Sequence, residues 1–534
     1  MKPGLGLIVL AVACAVLIAN APLHGEFLWS ESPRNALNGA FILDLLKERP
    51  VHDPVGWATA YYLRYPALTI LFYPPFLYVV LALFYAVFGV SHLSAMVCLG
   101  AFAFALATGI RALAGRIASP AAALAAALLM LAAPETIQWG QQVMLEIPML
   151  ALVTWGAVFL LRYGDHLREG RSAPWTLVAG LMLLVLAAYT KQSALFIAIG
   201  LAAGLLVWLG PRRLLTRPHV WLITLGAGLA LVPLVLMQLR FGAFNVTSVV
   251  SRPDIGTPGR LQLAGLTWYA MRLPEMLGWP TMLLALATPV LAALRRQWSL
   301  KRGETCLLLG WLVASYVALT LIDLKETRHG MLLMVPLVVL TAAALDQLLP
   351  RPAWRLAGPG AAALGFAVMV WWMPVQGATG YHEAAALVGK LAPRDGRIVF
   401  SGNHDGFFVF NVRALADRRD LAVVRADKLF LDITIQPELG LNPRQMEEEQ
   451  VAGKLNRIGI SYVVAVPDQW TEAPVMKAFQ AVLESGRFTE VARLPVTGPV
   501  GERVLVVYRN NGPLADPPEP YGAALTAANV TLGH

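Results

Sequence analysis

The feature that most constrains this chain is a succession of long apolar runs separated by short basic segments. A helix rises 1.5 Å per residue and the hydrocarbon core of a bilayer is about 30 Å thick, so about 20 apolar residues make one crossing. Runs of this kind fall at 4–22, 93–110, 117–133, 147–161, 175–189, 193–210, 220–239, 280–294, 305–322, 331–349 and 357–375. Only 14% of the residues are charged and 57% are hydrophobic, whereas a soluble chain carries about 25% charged residues. The chain therefore reads as a polytopic α-helical membrane protein with about 11 crossings. Lys2, the first apolar run and Ala19-Asn20-Ala21 also fit a cleaved leader, but the crossings that follow favour an uncleaved first helix.

Charge places the segments between crossings. The net charge of +9 would raise nucleic-acid binding in a soluble chain; here the basic residues sit between apolar runs, where membrane topology accounts for them. One further apolar stretch, Leu68 to Phe88, decides the parity. If it does not cross, the segments 1–3, 111–116, 162–174, 211–219, 295–304 and 350–356 share one side and hold 15 basic residues in 48. The opposite side then holds 11 basic residues in 134, balanced by 11 acids. That asymmetry obeys the positive-inside rule, with a cytoplasmic N-terminus in the cell membrane. Leu68–Phe88, opening on Tyr73-Pro74-Pro75 and rich in aromatics, then lies along the outer interface. The 240–279 segment runs against the trend, since as an outer loop it carries Arg240, Arg252, Arg260 and Arg272.

From about residue 380 the pattern changes. Arg397–Ser401, Ser461–Val466 and Arg503–Tyr508 read as short buried strands, and Pro443–Arg457 and Ala473–Glu484 as helices. The expected organisation is a transmembrane domain over 1–376, an extracytoplasmic α/β domain over 377–510, and a disordered Pro/Gly/Ala-rich tail over 511–534. Cys14, Cys98 and Cys306 all lie in apolar runs, which argues against a disulfide framework or a cysteine-rich metal site.

On this topology the unusual ionisable residues fall on the outer side. Glu31 and Arg34 follow the first crossing, Glu146 opens a crossing in Leu145-Glu146-Ile147-Pro148, Lys191 stands between two crossings, and Glu326, Arg328 and His329 precede another. Ionisable groups at the ends of apolar segments are costly, which favours a functional reading. Each also has a plainer reading. Glu31 and Glu146 suit helix starts, where acids are favoured; Lys191 can snorkel to headgroups; Arg328 and His329 can anchor the interface.

In their order these elements resemble the GT-C glycosyltransferases that use polyprenyl-phosphate-linked sugars, with the lipid A aminoarabinose transferases and protein O-mannosyltransferases as the nearest branches. The family's Asp-Glu after the first helix is matched by Ser30-Glu31, and its Lys-Pro or His-Pro-Pro element by Tyr73-Pro74-Pro75. Its acid-x-Pro is matched by Glu146-Ile147-Pro148, its Thr-Lys-Gly by Thr190-Lys191-Gln192, and its Lys-x-x-Arg-Tyr by Lys325-Glu326-Thr327-Arg328-His329. The likeness covers residues 1–350. Three positions depart from the pattern, at Ser30, Tyr73 and Gln192, and the first moves the family's usual base from Asp to Glu31.

The resemblance implies an inverting transfer of sugar from a polyprenyl-phosphate donor to an acceptor hydroxyl on a lipid, glycan or protein at the outer face. Glu31 would act as base, with Glu146 sharing acceptor positioning. Lys191, Arg328 and His329 would hold the lipid phosphate, with Arg34 and Tyr73 on the substrates. A divalent cation is compatible with the acids, but no ligand spacing is diagnostic and no metal site is assigned. No glycine fingerprint for a nucleotide is present, and no nucleic-acid partner is expected. A lipid-glycan ligase or polymerase, favoured by Arg240–Arg272, and a transporter or flippase of lipid-linked sugars are the alternatives. The last would want inverted repeats and midplane charges.

Overall fold

The structure is a computed structural model and describes residues 3–241, 257–295, 301–349, 357–431 and 443–521. Lys2, Arg252, Arg296, Arg351, Arg355 and the end of the expected disordered tail lie outside the described residues. Every expected crossing is helical, from Pro3–Ala19 to Ala357–Trp372. Five helices are long and apolar enough to cross a bilayer unaided, or up to seven if each of two bent pairs counts as one span. Gly4–Ala19, Pro174–Ala188, Ala194–Leu209 and Ala357–Trp372 are shorter apolar helices. The chain is thus a mostly helical membrane protein with a small C-terminal sheet.

Leu68–Phe88 follows the expectation of a helix that starts at Pro74-Pro75, and the 240–279 segment departs from expectation. In Leu68–Phe88 only Phe76–Phe88 is helical, because Pro74 and Pro75 lack the amide a preceding turn would need and push their neighbours out of the helical region. Its 13 residues span about 20 Å, short of a bilayer core, and it ends at Gly89, whose φ of 79° is left-handed. The 240–279 segment is a correction. The segment expected as an outer loop over 240–279 contains a helix, Leu263–Leu277, bent by 117° from Trp279–Leu294. Gly278 forms the corner at φ 81°. Arg272, Pro274 and Glu275 break the apolar run there, so hydropathy alone hides a helix that buries one face through Gly265, Tyr269, Leu273, Met276 and Leu277.

By compactness the chain forms two units. The first comprises Met1–Ala21, Ile70–Leu77 and Met96–Val375. Its helices approach closely where small residues face each other. Ala194–Leu209 carries Gly200 and Gly204, and a Cβ added to either would collide with the backbone of Arg302–Thr320, at Gly310 and Cys306 respectively. Gly156 and Gly180 play the same part between Glu146–Arg168 and Pro174–Ala188, each within about van der Waals contact of the other's carbonyl. The Ala-rich run Pro120–Ala132 is buried along nearly its whole length; alanine fits because helices press on it from several sides. At one end of the bundle Arg116 joins two helices through Asp165 (2.6 Å) and the buried Glu304 (2.7 Å).

The second unit comprises Pro22–Thr69, Tyr78–Ala95 and Gln376–His534. Its sheet runs in the order β2-β1-β3-β5-β4, with β1 Arg397–Ser401, β2 Ala422–Arg425, β3 Ile460–Ala465, β4 Phe488–Pro495 and β5 Val504–Asn510. β2, β1 and β3 are parallel, while β5 pairs antiparallel with β3 and β4. The helix Pro474–Glu484 buries Val475, Met476, Phe479, Val482 and Leu483, the spacing of one apolar stripe. Each such side chain contributes roughly 1.5–3 kcal/mol of burial. The helices Glu31–Glu48 and Pro54–Arg64 belong to this unit, and Asp44 of the first is buried. It accepts from the Tyr61 hydroxyl (3.0 Å) and Arg413 Nε (3.0 Å), and Arg419 approaches its other oxygen at 3.0 Å.

Candidate functional site

In the helical unit the chain breaks twice beside the same point. Pro134 cannot continue the helix Pro120–Ala132, and the short helix Pro134–Gly140 turns away by 62°. Glu146 then opens the helix Glu146–Arg168. Pro174–Ala188 ends before Lys191, which lies in the turn leading to Ala194–Leu209. Three helix ends thus place an acid and a base together. Lys191 Nζ lies 2.6 Å from Glu146 Oε1, and their side chains are 9% and 1% exposed. The other carboxylate oxygen of Glu146 has no hydrogen-bond partner among the described residues. Tyr73-Pro74-Pro75 adjoins this turn, since Phe76 N donates to Tyr189 O at 2.9 Å. Tyr73 itself is half-buried and packs edge-on against Phe72.

Arg328 and His329 join the pair from a fourth helix end, the 3-10 turn Thr327–Gly330 ahead of Met331–Leu348. Arg328 is 5% exposed, pairs through Nε with Glu326, and stands 5.7 Å from the centre of the Trp139 ring. Its charge acts on Glu146, and the charges of Lys191 and Arg328 both act on His329. His329 Nδ1 is buried with no hydrogen-bond partner among the described residues, and its Nε2 lies 3.9 Å from Glu326. Lys325 has a different task. Its Nζ donates to the carbonyls of Ile322 (2.8 Å), Thr320 (3.4 Å) and Leu319 (3.5 Å), closing the C-terminal end of Arg302–Thr320.

Glu31 and Arg34 stand in the other unit. Glu31 occupies the first turn of Glu31–Glu48, with no capping bond from Ser30, and acts electrostatically on Tyr78, whose hydroxyl donates to Asn35 at 2.9 Å. Its position also satisfies the plain reading of an acid at a helix start. Arg34 is engaged within its own unit: Nη2 lies 2.6 Å from Asp405, and Nη1 donates to Ala67 O at 3.4 Å. Asp405 is shared with Arg425 at 2.9 Å, and Arg425 also holds Asp427. The buried Lys428 adjoins this group, its ammonium 5.5 Å from the centre of the Tyr62 ring. Burial, reinforced by the charge of Arg425, pushes its amine down to about 7.

Two partners in the helical unit, Glu135 and Gln141, escape a reading of the sequence. Glu135 accepts from the Trp139 indole and from Thr327, and Glu326 holds Arg328. Gln141 accepts from Val375 N (3.1 Å) and donates to Leu17 O (3.2 Å), fixing the segment before Glu146. The one available signal was Pro134-Glu135 at the end of the alanine-rich run. Among the described residues no group of three or more His, Cys, Asp or Glu could hold a metal ion.

Comparison with known proteins agrees with this architecture. Residues 73–237 match the model of the dolichyl-phosphate-mannose-protein mannosyltransferase family, a stretch containing Tyr73, Glu146 and Lys191. No curated protein matches the chain in sequence. In structure it is similar to ArnT from Cupriavidus metallidurans bound to undecaprenyl phosphate, with TM-score 0.65 and 16% identity over 95% of this chain and 98% of that one. It is also similar to the Archaeoglobus fulgidus oligosaccharyltransferase in the apo form, with TM-score 0.50 and 13% identity over 95% and 76%. The archaeal oligosaccharyltransferase AglB from Archaeoglobus fulgidus, in complex with an inhibitory peptide and a dolichol-phosphate, gives TM-score 0.50 and 15% identity over 95% and 74%. The chain has the GT-C fold.

Proposed function

We propose that the chain is a membrane glycosyltransferase that moves a sugar from a polyprenyl-phosphate donor to an acceptor hydroxyl at the outer face. The observation that carries this reading is the buried pairing of Lys191 with Glu146 beside Arg328, two cations held at helix ends in an apolar unit. Buried charges persist where they are paired or have a ligand to meet. An ammonium has three N–H donors, and Glu146 takes one of those of Lys191. Donors therefore remain for a phosphate, and a guanidinium suits the same anion. ArnT and AglB, similar in fold, were solved with undecaprenyl phosphate and dolichol-phosphate, which supports a lipid phosphate here.

In this reading the acceptor hydroxyl loses its proton to Glu31 as it attacks the anomeric carbon with inversion, and the lipid phosphate departs toward Lys191 and Arg328. His329 donates to the leaving phosphate. Glu146, already paired, orients Lys191 and acts as a positioning residue. Arg34, held by Asp405, keeps the start of Glu31–Glu48 in place. The asymmetry of basic residues supports a cytoplasmic N-terminus and an α/β domain over 377–510 outside the cytoplasm.

The test is transfer by purified protein from defined polyprenyl-phosphate sugars. Glu31→Gln should lower turnover by at least about 10²-fold, the lower bound for general base catalysis, with donor binding retained. Arg328→Ala should weaken donor binding as well. Full activity in Glu31→Gln with loss in Glu146→Gln would move the base to Glu146. Full donor binding in Arg328→Ala would remove the phosphate site.

A further inference from the structure

At the other end of the helical unit from the Lys191–Glu146 pair lies a cavity of about 610 Å³. It is lined by Arg168, Arg212, Arg213 and Arg302 together with Trp208. Its volume falls in the range of about 300–1,000 Å³ that holds small ligands. Arg168 ends the helix whose first residue is Glu146, so the two sites are about 33 Å apart along that axis. The four arginines are exposed, and among the described residues none is paired with a carboxylate. Arg302 Nη2 reaches only the carbonyl of Val207, at 3.5 Å. Trp208 is different in kind. Its indole is buried, wedged where a Cβ on Gly164 or Gly303 would strike it, and Nε1 has no hydrogen-bond partner among the described residues.

We infer that this cavity binds the headgroup of an anionic phospholipid. Four guanidinium groups without acids around one cavity match a phosphodiester with its oxygens spread over several donors. A lipid fits better than free phosphate, because exposed apolar side chains flank the site at Leu206, Val207, Leu215 and Trp221. The acyl chains would cover these while the headgroup enters between the helices. Basic pockets between helices at a membrane surface are the expected seat of such headgroups. Bound lipid would bridge the ends of Glu146–Arg168, Ala194–Leu209 and Arg302–Thr320 without touching the Lys191–Glu146 pair.

The test uses the full chain in zwitterionic micelles with equimolar short-chain phosphatidylglycerol and phosphatidylcholine, read by native mass spectrometry. The wild type should retain phosphatidylglycerol selectively, and inorganic phosphate should not displace it. The triple variant Arg212→Gln, Arg213→Gln, Arg302→Gln should lose that selectivity by about tenfold or more, as expected for removing several basic contacts. Arg162→Gln with Arg217→Gln, two exposed basic residues outside the cavity, should keep it. Equal loss in both variants, displacement by inorganic phosphate, or no lipid preference in the wild type would overturn the proposal. Should the triple variant fail to fold, a photoactivatable phosphatidylglycerol on the wild type locates the bound lipid directly. Labels on 206–215 and 302–309 support the site, and labels elsewhere refute it.

Discussion

Replacing Lys191 by methionine isolates the most exposed assumption about the helical unit. The substitution keeps length and apolar bulk but removes the charge facing Glu146 at 2.6 Å. At an effective dielectric of about 20, two unit charges at that separation attract by about 6 kcal/mol. Desolvating both groups consumes much of this, and breaking one partner of a buried pair costs about 3–5 kcal/mol because the survivor is left uncompensated. Arg328 still attracts Glu146, which argues for the lower end, about 3 kcal/mol. For a unit of this size that corresponds to a fall in Tm of roughly 5 °C. The assay is thermal unfolding of the purified full chain in detergent, with Glu146→Gln in the Lys191→Met background as second arm. Removing both charges should restore most of the stability while leaving transfer activity lost. A Lys191→Met protein as stable as the wild type would show that the pair is not buried as described. An active double variant would show that it is structural only.

Other outcomes follow from separate parts of the chain. Gly204→Leu should lower Tm strongly, since overpacking costs typically 1–3 kcal/mol and here the obstacle is backbone. Gly228→Leu, with open space around it, should be close to neutral in the same unfolding assay. Lys428 is held down to about 7 from an ordinary 10.5, so the folded state binds fewer protons than the unfolded chain between those values. Its contribution to stability is therefore present above about 10.5 and lost as pH falls through about 7. Lys428→Met should gain most over the wild type near pH 6, and the gain should shrink by pH 9; a pH-independent difference would contradict the burial argument. A phosphatase fused after residue 510 should be active in cells, and an inactive fusion with a bright cytoplasmic reporter at the same point would reverse the orientation.

The helices were legible because bilayer thickness imposes a length on apolar runs, and each expected run is a helix. Their partners were not. That Glu146 and Lys191 share an end follows from alternation of crossings, but a hydrogen bond between them depends on how three helices tilt, which spacing does not encode. Leu263–Leu277 was hidden because Arg272 and Glu275 interrupt its hydropathy while lying on the exposed face. β4 was missed for a similar reason: Phe488–Pro495 is an edge strand with Glu490 and Arg493 pointing outward, so it lacks an apolar run. β2 has four residues and sits among charged ones, too short for a period-2 pattern to register. The pairing of Arg34 with Asp405 was not legible because the two lie 371 residues apart in sequence.

Lys325 gives the element around Arg328 an unusual mechanical character. A lysine seated on the last carbonyls of Arg302–Thr320 turns the following residues into a strut rather than a hinge. Arg328 is carried three residues beyond that anchor and His329 four. On the proposed function, neither side chain would have to be gathered into place by the lipid phosphate, so little ordering entropy would be lost on binding. The same anchoring ties the position of Arg328 to any tilt of Arg302–Thr320.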